Sequence, residues 1–147
     1  MKIMLGGLCG HMGREVAALC AEGVRGAVLV CGVDKAAVGA ECVPCVTSYD
    51  GAEAMGAECI IDFSHHSATG ALLGFAVGNA LPLVLAATGH TDEEKEEIRH
   101  AAEKIPLLWA ANCSLGTVLM LRLVREAVRA LPEADIEIVE IHHTRKS

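Results

Sequence analysis

Lys2-Ile3-Met4-Leu5-Gly6-Gly7-Leu8-Cys9-Gly10-His11-Met12-Gly13-Arg14 decides the fold. The short apolar run from Lys2 to Leu5 stops at a glycine pair. Met12 to Glu22 then runs with helical spacing, placing Val16, Leu19 and Cys20 on one face. The stretch therefore reads as a strand that turns sharply into a helix, with glycines at the corner. Bare backbone at such a corner lets a diphosphate come close, and the free N–H groups of a helix start favour its charge. The spacing is G-x-x-G-x-x-G over Gly7, Gly10 and Gly13 rather than the usual G-x-G-x-x-G. Its alternative is a turn whose glycines serve packing only. Position supplies the support: the glycines follow a strand and open a helix, as the mechanism requires.

Strand and helix patterns alternate beyond this corner. Ala27 to Val33 is a continuous apolar run, as expected of a strand covered on both faces. Lys35 to Tyr49 reads as loop with a short extended piece, and Asp50 to Met55 as a short helix. Cys59 to Phe63 is a buried strand, His66 to Val77 a helix and Leu83 to Ala87 a further strand. Thr91 caps the next helix, and Glu94 completes a capping box. Ile98, Ala101, Ala102 and Ile105 form its apolar stripe. Pro106 to Ala110 is another strand. A long helix from about Ser114 to Ala130 turns Leu121, Val124 and Val128 inward and Arg122, Arg125 and Arg129 outward, and Pro132 ends it. Ile136 to Ile141 alternates with acids and reads as a last strand. This order predicts an α/β fold: a Rossmann-like, doubly wound, mostly parallel sheet with helices on both faces, residues 1–147 forming one dinucleotide-binding domain.

Composition narrows the function. The chain has 147 residues, 52% of them hydrophobic, with 12 Lys and Arg against 19 Asp and Glu, for a net charge of −7. An acidic chain without basic runs is a poor partner for nucleic acid or an anionic membrane. One Trp, one Tyr and two Phe do not make a base-stacking platform. The uncharged stretch from Ser67 to His90 is long enough to span a bilayer, but Gly70, Gly74, Gly78, Asn79 and Pro82 interrupt it. It reads as a buried helix followed by a buried strand. Met1 to Leu5 runs straight into glycines, too short for a secretory leader, so the seven cysteines read as free thiols in a reducing cytoplasm. Cys42-Val43-Pro44-Cys45 has C-x-x-C spacing but neither a helix start nor a second ligand pair. The adjacent His65 and His66 lack a third ligand, so no metal is expected.

Ligands of doubly wound sheets bind outside the carboxyl ends of the strands. Asp34 lies at the end of the second strand, about 20 residues beyond the glycines, where an adenosine ribose hydroxyl is read. A carboxylate there favours NAD, while the neighbouring Lys35 leaves room for a 2′-phosphate, so NADH and NADPH both stay open. Asp62-Phe63-Ser64-His65-His66, Thr88-Gly89-His90 and Asn112-Cys113-Ser114 put small or polar groups at successive strand ends. Each alone is an ordinary loop or cap. The last segment gathers His142, His143, Arg145 and Lys146. It is either a proton-donating cluster that attracts an acidic substrate or a solvated basic tail.

Together these segments resemble the dihydrodipicolinate (4-hydroxy-tetrahydrodipicolinate) reductases of lysine biosynthesis, across nearly the whole chain and as that enzyme's amino-terminal domain. The resemblance rests on Gly7-x-x-Gly10-x-Met12-Gly13-Arg14, Asp62-Phe63-Ser64, Ala87-Thr88-Gly89, Ala110-Ala111-Asn112-Cys113-Ser114-Leu115-Gly116 and, above all, Glu140-Ile141-His142-His143-Thr144-Arg145-Lys146, which is similar to the family signature E-x-H-H-x-x-K. The resemblance implies reduction of a cyclic dihydropyridine dicarboxylate with NADH or NADPH. It implies cofactor contacts at Gly7, Leu8, Cys9, Gly10, His11, Met12, Asp34 and Lys35, then at Ala86, Ala87 and Thr88, and at Ala110, Ala111, Asn112 and Cys113. It implies His142 as the catalytic histidine, Lys146 as the proton donor, His143 as a substrate contact, and a cytoplasmic homotetramer for the full-length enzyme. The chain departs from the family at Ala86-Ala87-Thr88-Gly89, usually G-T-T-G, and at Cys113, often aromatic. It also stops at Ser147, before the family's D-A-P-S-G-T segment and second domain, so an amino-terminal part of a longer enzyme is expected. A homoserine or semialdehyde dehydrogenase, or a non-catalytic redox-sensing module, are the competing readings.

Overall fold

The computed structural model describes residues 1–36, 43–137 and 139. They form two compact units, Met1–Asn112 and a second beginning at Cys113. The first unit holds β1 (Lys2–Gly6), α1 (His11–Ala21), β2 (Val28–Val33), β3 (Cys45–Val46), β4 (Cys59–Asp62), α2 (Thr69–Gly78), β5 (Leu83–Leu85), α3 (Asp92–Ala102) and β6 (Leu107–Trp109). The six strands make one sheet in the order β3-β2-β1-β4-β5-β6, every pair parallel. The chain winds outward from β1 in one direction, returns, and winds outward from β4 in the other. This is the Rossmann order, and the β1–β4 pair is its topological switch point.

The strands are short and apolar because both faces are covered. Side chains alternate along each strand, so neighbouring residues enter different layers. Ile3, Cys59 and Ile61 pack with Val16 and Cys20 of α1 on one face. Met4 and Ile60 pack with Leu72, Phe75 and Ala76 of α2 and Ile98 and Ala101 of α3 on the other. Thr91 caps α3 with a complete capping box, as its sequence predicts: Glu94 N donates to Thr91 Oγ1 (3.3 Å) and Thr91 N to Glu94 Oε2 (2.8 Å).

Several local expectations fail for identifiable reasons. Asp50 to Met55 is not a helix. Gly51 (φ 71°), Met55 (φ 51°) and Gly56 (φ 72°) are left-handed there, a conformation that no α-helix contains. Leu19 and Ala102 are exposed, although their spacing placed them on apolar faces. Cys20 with the partly buried Val16, and Ala101 with Ile105 beyond the end of α3, fill those places. The second unit contains α4 (Leu115–Ala130), started by Ser114 and ended at Leu131 before Pro132. The expected inward set Leu121, Val124 and Val128 stays exposed, and no residue of α4 is buried. Ile136 and Glu137 are not in a strand, and the rest of that expected strand lies largely outside the described residues. Among the described residues no helix is long and apolar enough to cross a membrane.

Candidate dinucleotide-binding site

At the carboxyl end of β1 the four glycines are bare for different reasons. A Cβ on Gly6 would fall on the Asp62 carboxylate and the Tyr49 hydroxyl. On Gly7, which has φ 73°, it would stand 2.8 Å from the Phe63 carbonyl group and 2.9 Å from Ser64 N. On Gly13 it would overlap the Gly7 carbonyl oxygen and lie 2.7 Å from that of Leu8. These three are glycine because the protein itself occupies the space. Gly10 differs: among the described residues its only close neighbour would be Gly7 O at 3.2 Å. Its Cβ direction is otherwise open, so Gly10 is where a ligand can approach the backbone.

Gly10 is also the N-cap of α1. It has extended backbone (φ −72°, ψ 171°), and no side chain among the described residues caps the helix. The first N–H groups of a helix have no partner within it, and they carry its positive end. The turn is held from below, Gly7 N donating to Val33 O (2.8 Å) and Gly10 N to Gly7 O (3.0 Å). Open backbone, an uncapped helix start and no acid in the first turn of α1 fit a diphosphate.

Asp34 follows β2 directly. Cys9 N donates to its Oδ2 (2.8 Å) and Ala36 N to its Oδ1 (2.8 Å), so the acid ties the glycine turn to the end of β2. Each carboxylate oxygen keeps acceptor capacity for a ribose hydroxyl. Beside it, Lys35 Nζ reaches Ser67 Oγ (3.4 Å), from the end of β2 to the loop after β4. His11 and Met12 are exposed at the start of α1, and Leu8 is buried.

Ala86, Ala87 and Thr88 follow β5 directly, and Ala86 N donates to the Asp62 carbonyl (2.9 Å). Ala110, Ala111 and Asn112 follow β6, with Ala110 N donating to Leu85 O (3.1 Å). These segments thus share the carboxyl edge of the sheet with the glycine corner. Cys113 is exposed and belongs to the second unit. His142, His143 and Lys146 lie outside the described residues.

Three features of this edge escape a sequence reading. Asp62 is fully buried, accepting from Tyr49 Oη (3.1 Å) on Oδ1 and from Ser64 N (3.2 Å) and Ser64 Oγ (2.9 Å) on Oδ2. A lone acid inside the apolar run Cys59–Phe63 is the signal that marks it. His66 Nδ1 pairs with Glu94 Oε2 (3.0 Å), joining the start of α2 to the start of α3. The His66 hydrogen bond first, then the Thr91 N–H, hold Glu94 below its usual range. Third, His90 is buried, its ring edge-on to Trp109 (centroids 5.5 Å apart), and its Nε2 has no hydrogen-bond partner among the described residues. Burial lowers its pKa, against the pull of Glu94. Among the described residues no group of three or more His, Cys, Asp or Glu could hold a metal ion.

Comparison with known proteins gives the lineage. The family described as "Dihydrodipicolinate reductase, N-terminus" matches residues 1–113. This chain belongs to that family. It is 36% identical to the 4-hydroxy-tetrahydrodipicolinate reductase of Caldanaerobacter subterraneus subsp. tengcongensis over 99% of its own length and 57% of the relative's. It is 47% identical to the reductase of the same name from Akkermansia muciniphila, over 58% of this chain and 35% of the relative. The chain thus covers well under two thirds of each of these two curated relatives. Among solved structures, a dipicolinate-bound dihydrodipicolinate reductase from a Paenisporosarcina species superposes with a TM-score of 0.73 at 22% identity, covering 87% of this chain and 53% of that one. An Agrobacterium radiobacter oxidoreductase in complex with NAD+, L-tartaric acid and magnesium superposes at 0.59 and 15% identity, covering 86% and 40%. At these identities the two structures speak for the fold.

Proposed function

We propose that this chain is the nucleotide-binding portion of a 4-hydroxy-tetrahydrodipicolinate reductase, which uses NADH or NADPH to form tetrahydrodipicolinate on the way to diaminopimelate and lysine. The observation that carries this reading is the open Gly10 backbone at the uncapped start of α1, with Asp34 anchored beside it, in a chain of this family. Gly7, Leu8, Cys9, Gly10, His11 and Met12 form the diphosphate cradle. Asp34 takes the adenosine ribose, and Lys35 stands where a 2′-phosphate would be met. Ala86 to Thr88 and Ala110 to Cys113 line the path toward the nicotinamide. The reduced nicotinamide, when bound, supplies hydride to an electron-poor ring carbon of the dicarboxylate substrate. Negative charge then develops on that ring. His142 and Lys146 stabilise it, Lys146 giving the proton, and His143 holds the substrate.

The full-length enzyme is read as a cytoplasmic homotetramer completed by a second, substrate-binding domain. The 147-residue chain by itself is then expected to bind dinucleotide and turn over poorly. NADH fluorescence titration of the chain and of Gly10→Asp tests the cradle. The variant should lose binding because a carboxylate occupies the diphosphate position, and equal affinity would refute the assignment. Activity of the complete gene product on the dihydropyridine substrate tests the reaction, and strong reductase activity from the 147-residue chain alone would refute the division of labour.

A further inference from the structure

The glycine corner leans on a buried polar chain of Tyr49, Asp62 and Ser64. Tyr49 comes from the connection before β4, is 3% exposed, and packs its ring on Phe75 of α2 (centroids 5.7 Å apart). Its hydroxyl donates to Asp62 Oδ1, while both donors of Ser64 take Oδ2. The carboxylate therefore clamps the turn Phe63-Ser64 as it leaves β4. That turn is the wall behind Gly7, whose missing Cβ would strike Phe63 and Ser64 backbone. Phe63 N also donates to Gly6 O (3.0 Å), so β1 and the turn move together. Gly6 in turn is bare because the Asp62–Tyr49 pair fills its side-chain space.

We propose that Asp62, held by Tyr49, is a positioning residue of the dinucleotide site: it fixes the Phe63–Ser64 turn and thereby the Gly7 corner that shapes the diphosphate cradle. The proposal rests on the dinucleotide reading of that corner. A buried acid serves here because one planar group accepts from both sides at once, from the core through Tyr49 and from the site wall through Ser64. An amide in its place presents a donor to one of those donors.

The arrangement is sensitive to protonation. Burial pushes the Asp62 carboxyl up, and the Ser64 donors, then Tyr49, then the charge of His90 hold it down. The groups that face the pair are Ser64 after β4, His90 after β5, and Cys31 of β2 beside Tyr49. Removing the Tyr49 hydroxyl withdraws one stabiliser of the ionised form, so the carboxyl takes up its proton at a higher pH. A protonated Asp62 accepts less well from Ser64, and the wall loosens.

The test is NADH titration of the full chain between pH 8 and pH 6, for the unmodified protein, Tyr49→Phe and Ser64→Ala, with amide NMR of Gly7 and Ser64. In Tyr49→Phe the affinity should fall at both pH values, because the turn loses its core-side hold, and further at the lower pH than in the unmodified chain. The Gly7 and Ser64 amides should follow one common titration curve, shifted upward in the variant. Ser64→Ala removes only the wall-side hydroxyl. It should weaken binding at both pH values with little loss of melting temperature, and it carries the comparison if Tyr49→Phe fails to fold. A Tyr49→Phe protein that melts lower but keeps the unmodified affinity and pH profile overturns the proposal, leaving a core hydrogen bond. If the unmodified chain binds no NADH at either pH, the dinucleotide reading itself falls, and this proposal with it.

Discussion

Alanine at position 13 should destabilise the protein, although ordinary helix physics says the reverse. Gly13 lies in the first turn of α1, and replacing a helical glycine by alanine gains up to about 1 kcal/mol. Here the new methyl would overlap the Gly7 carbonyl oxygen and sit 2.7 Å from that of Leu8. Neither obstacle is the end of a flexible side chain. Relief requires moving the glycine turn or the helix, and overpacking of this kind costs about 1–3 kcal/mol or more. Because both obstacles are backbone atoms the upper end of that range applies, and with the propensity gain subtracted a net loss of about 2 kcal/mol is expected, or roughly 8 °C in melting temperature for a unit of this size. Gly10→Ala is the matched control. Its methyl meets only Gly7 O at 3.2 Å, and φ −72° suits any residue, so stability should change by less than about 1 kcal/mol. It should instead weaken NADH about tenfold or more, about 1.4 kcal/mol, because the methyl stands in the open approach. Thermal melts and NADH titrations of both variants decide the matter. A Gly13→Ala protein as stable as the parent, or a Gly10→Ala protein of undiminished affinity, would refute the division of the glycines into packing and binding positions.

Two further outcomes follow from groups beside the site. His90→Phe should raise stability by about 1 kcal/mol, since the buried Nε2 without a partner disappears while the edge contact to Trp109 is kept. Burial lowers the folded pKa of His90 below its usual 6.5, so its contribution is present above that value and is lost as pH falls through the folded pKa. Melting curves of the variant should accordingly decline less toward acid than those of the parent, and identical pH profiles would refute this. Thr91→Ala removes the capping box of α3 and should cost about 1 kcal/mol in denaturant unfolding. A loss below about 0.3 kcal/mol would mean that the His66–Glu94 pair holds that helix start by itself.

Much of this fold is legible because its strands are buried on both faces. Ala27 to Val33 reads as a continuous apolar run and Cys59 to Phe63 as an apolar run interrupted only by Asp62, and they form β2 and β4 almost unchanged. Thr91 and Glu94 announce α3 through a local interaction that needs no tertiary partner. The illegible parts depend on distant residues or on backbone that leaves its usual region. Asp50 to Met55 has helix-forming residues, but Met55 adopts positive φ. The sites of Gly7, Gly10 and Asp34 follow from strand ends, yet which glycine yields to a ligand depends on Phe63 and Ser64, far along the chain. In the sequence Asp62 is only a polar residue at a strand end. Its bond to Tyr49 crosses from a loop to a strand through the core, and no spacing rule encodes that.

The sheet divides its apolar support unequally. Among the described residues the core cluster that α2 and α3 join has sixteen buried members, the helices' own included, against three in the cluster that α1 joins. Yet α1 is the helix whose first turn is offered to the ligand. A thinly moored helix gains most from whatever grips its end, so occupancy and mooring become one thermodynamic quantity. Trimming Val16 or Cys20, on the far side from any bound molecule, will therefore register as weakened affinity, and an assay watching only the ligand would mistake a loosened anchor for a damaged pocket.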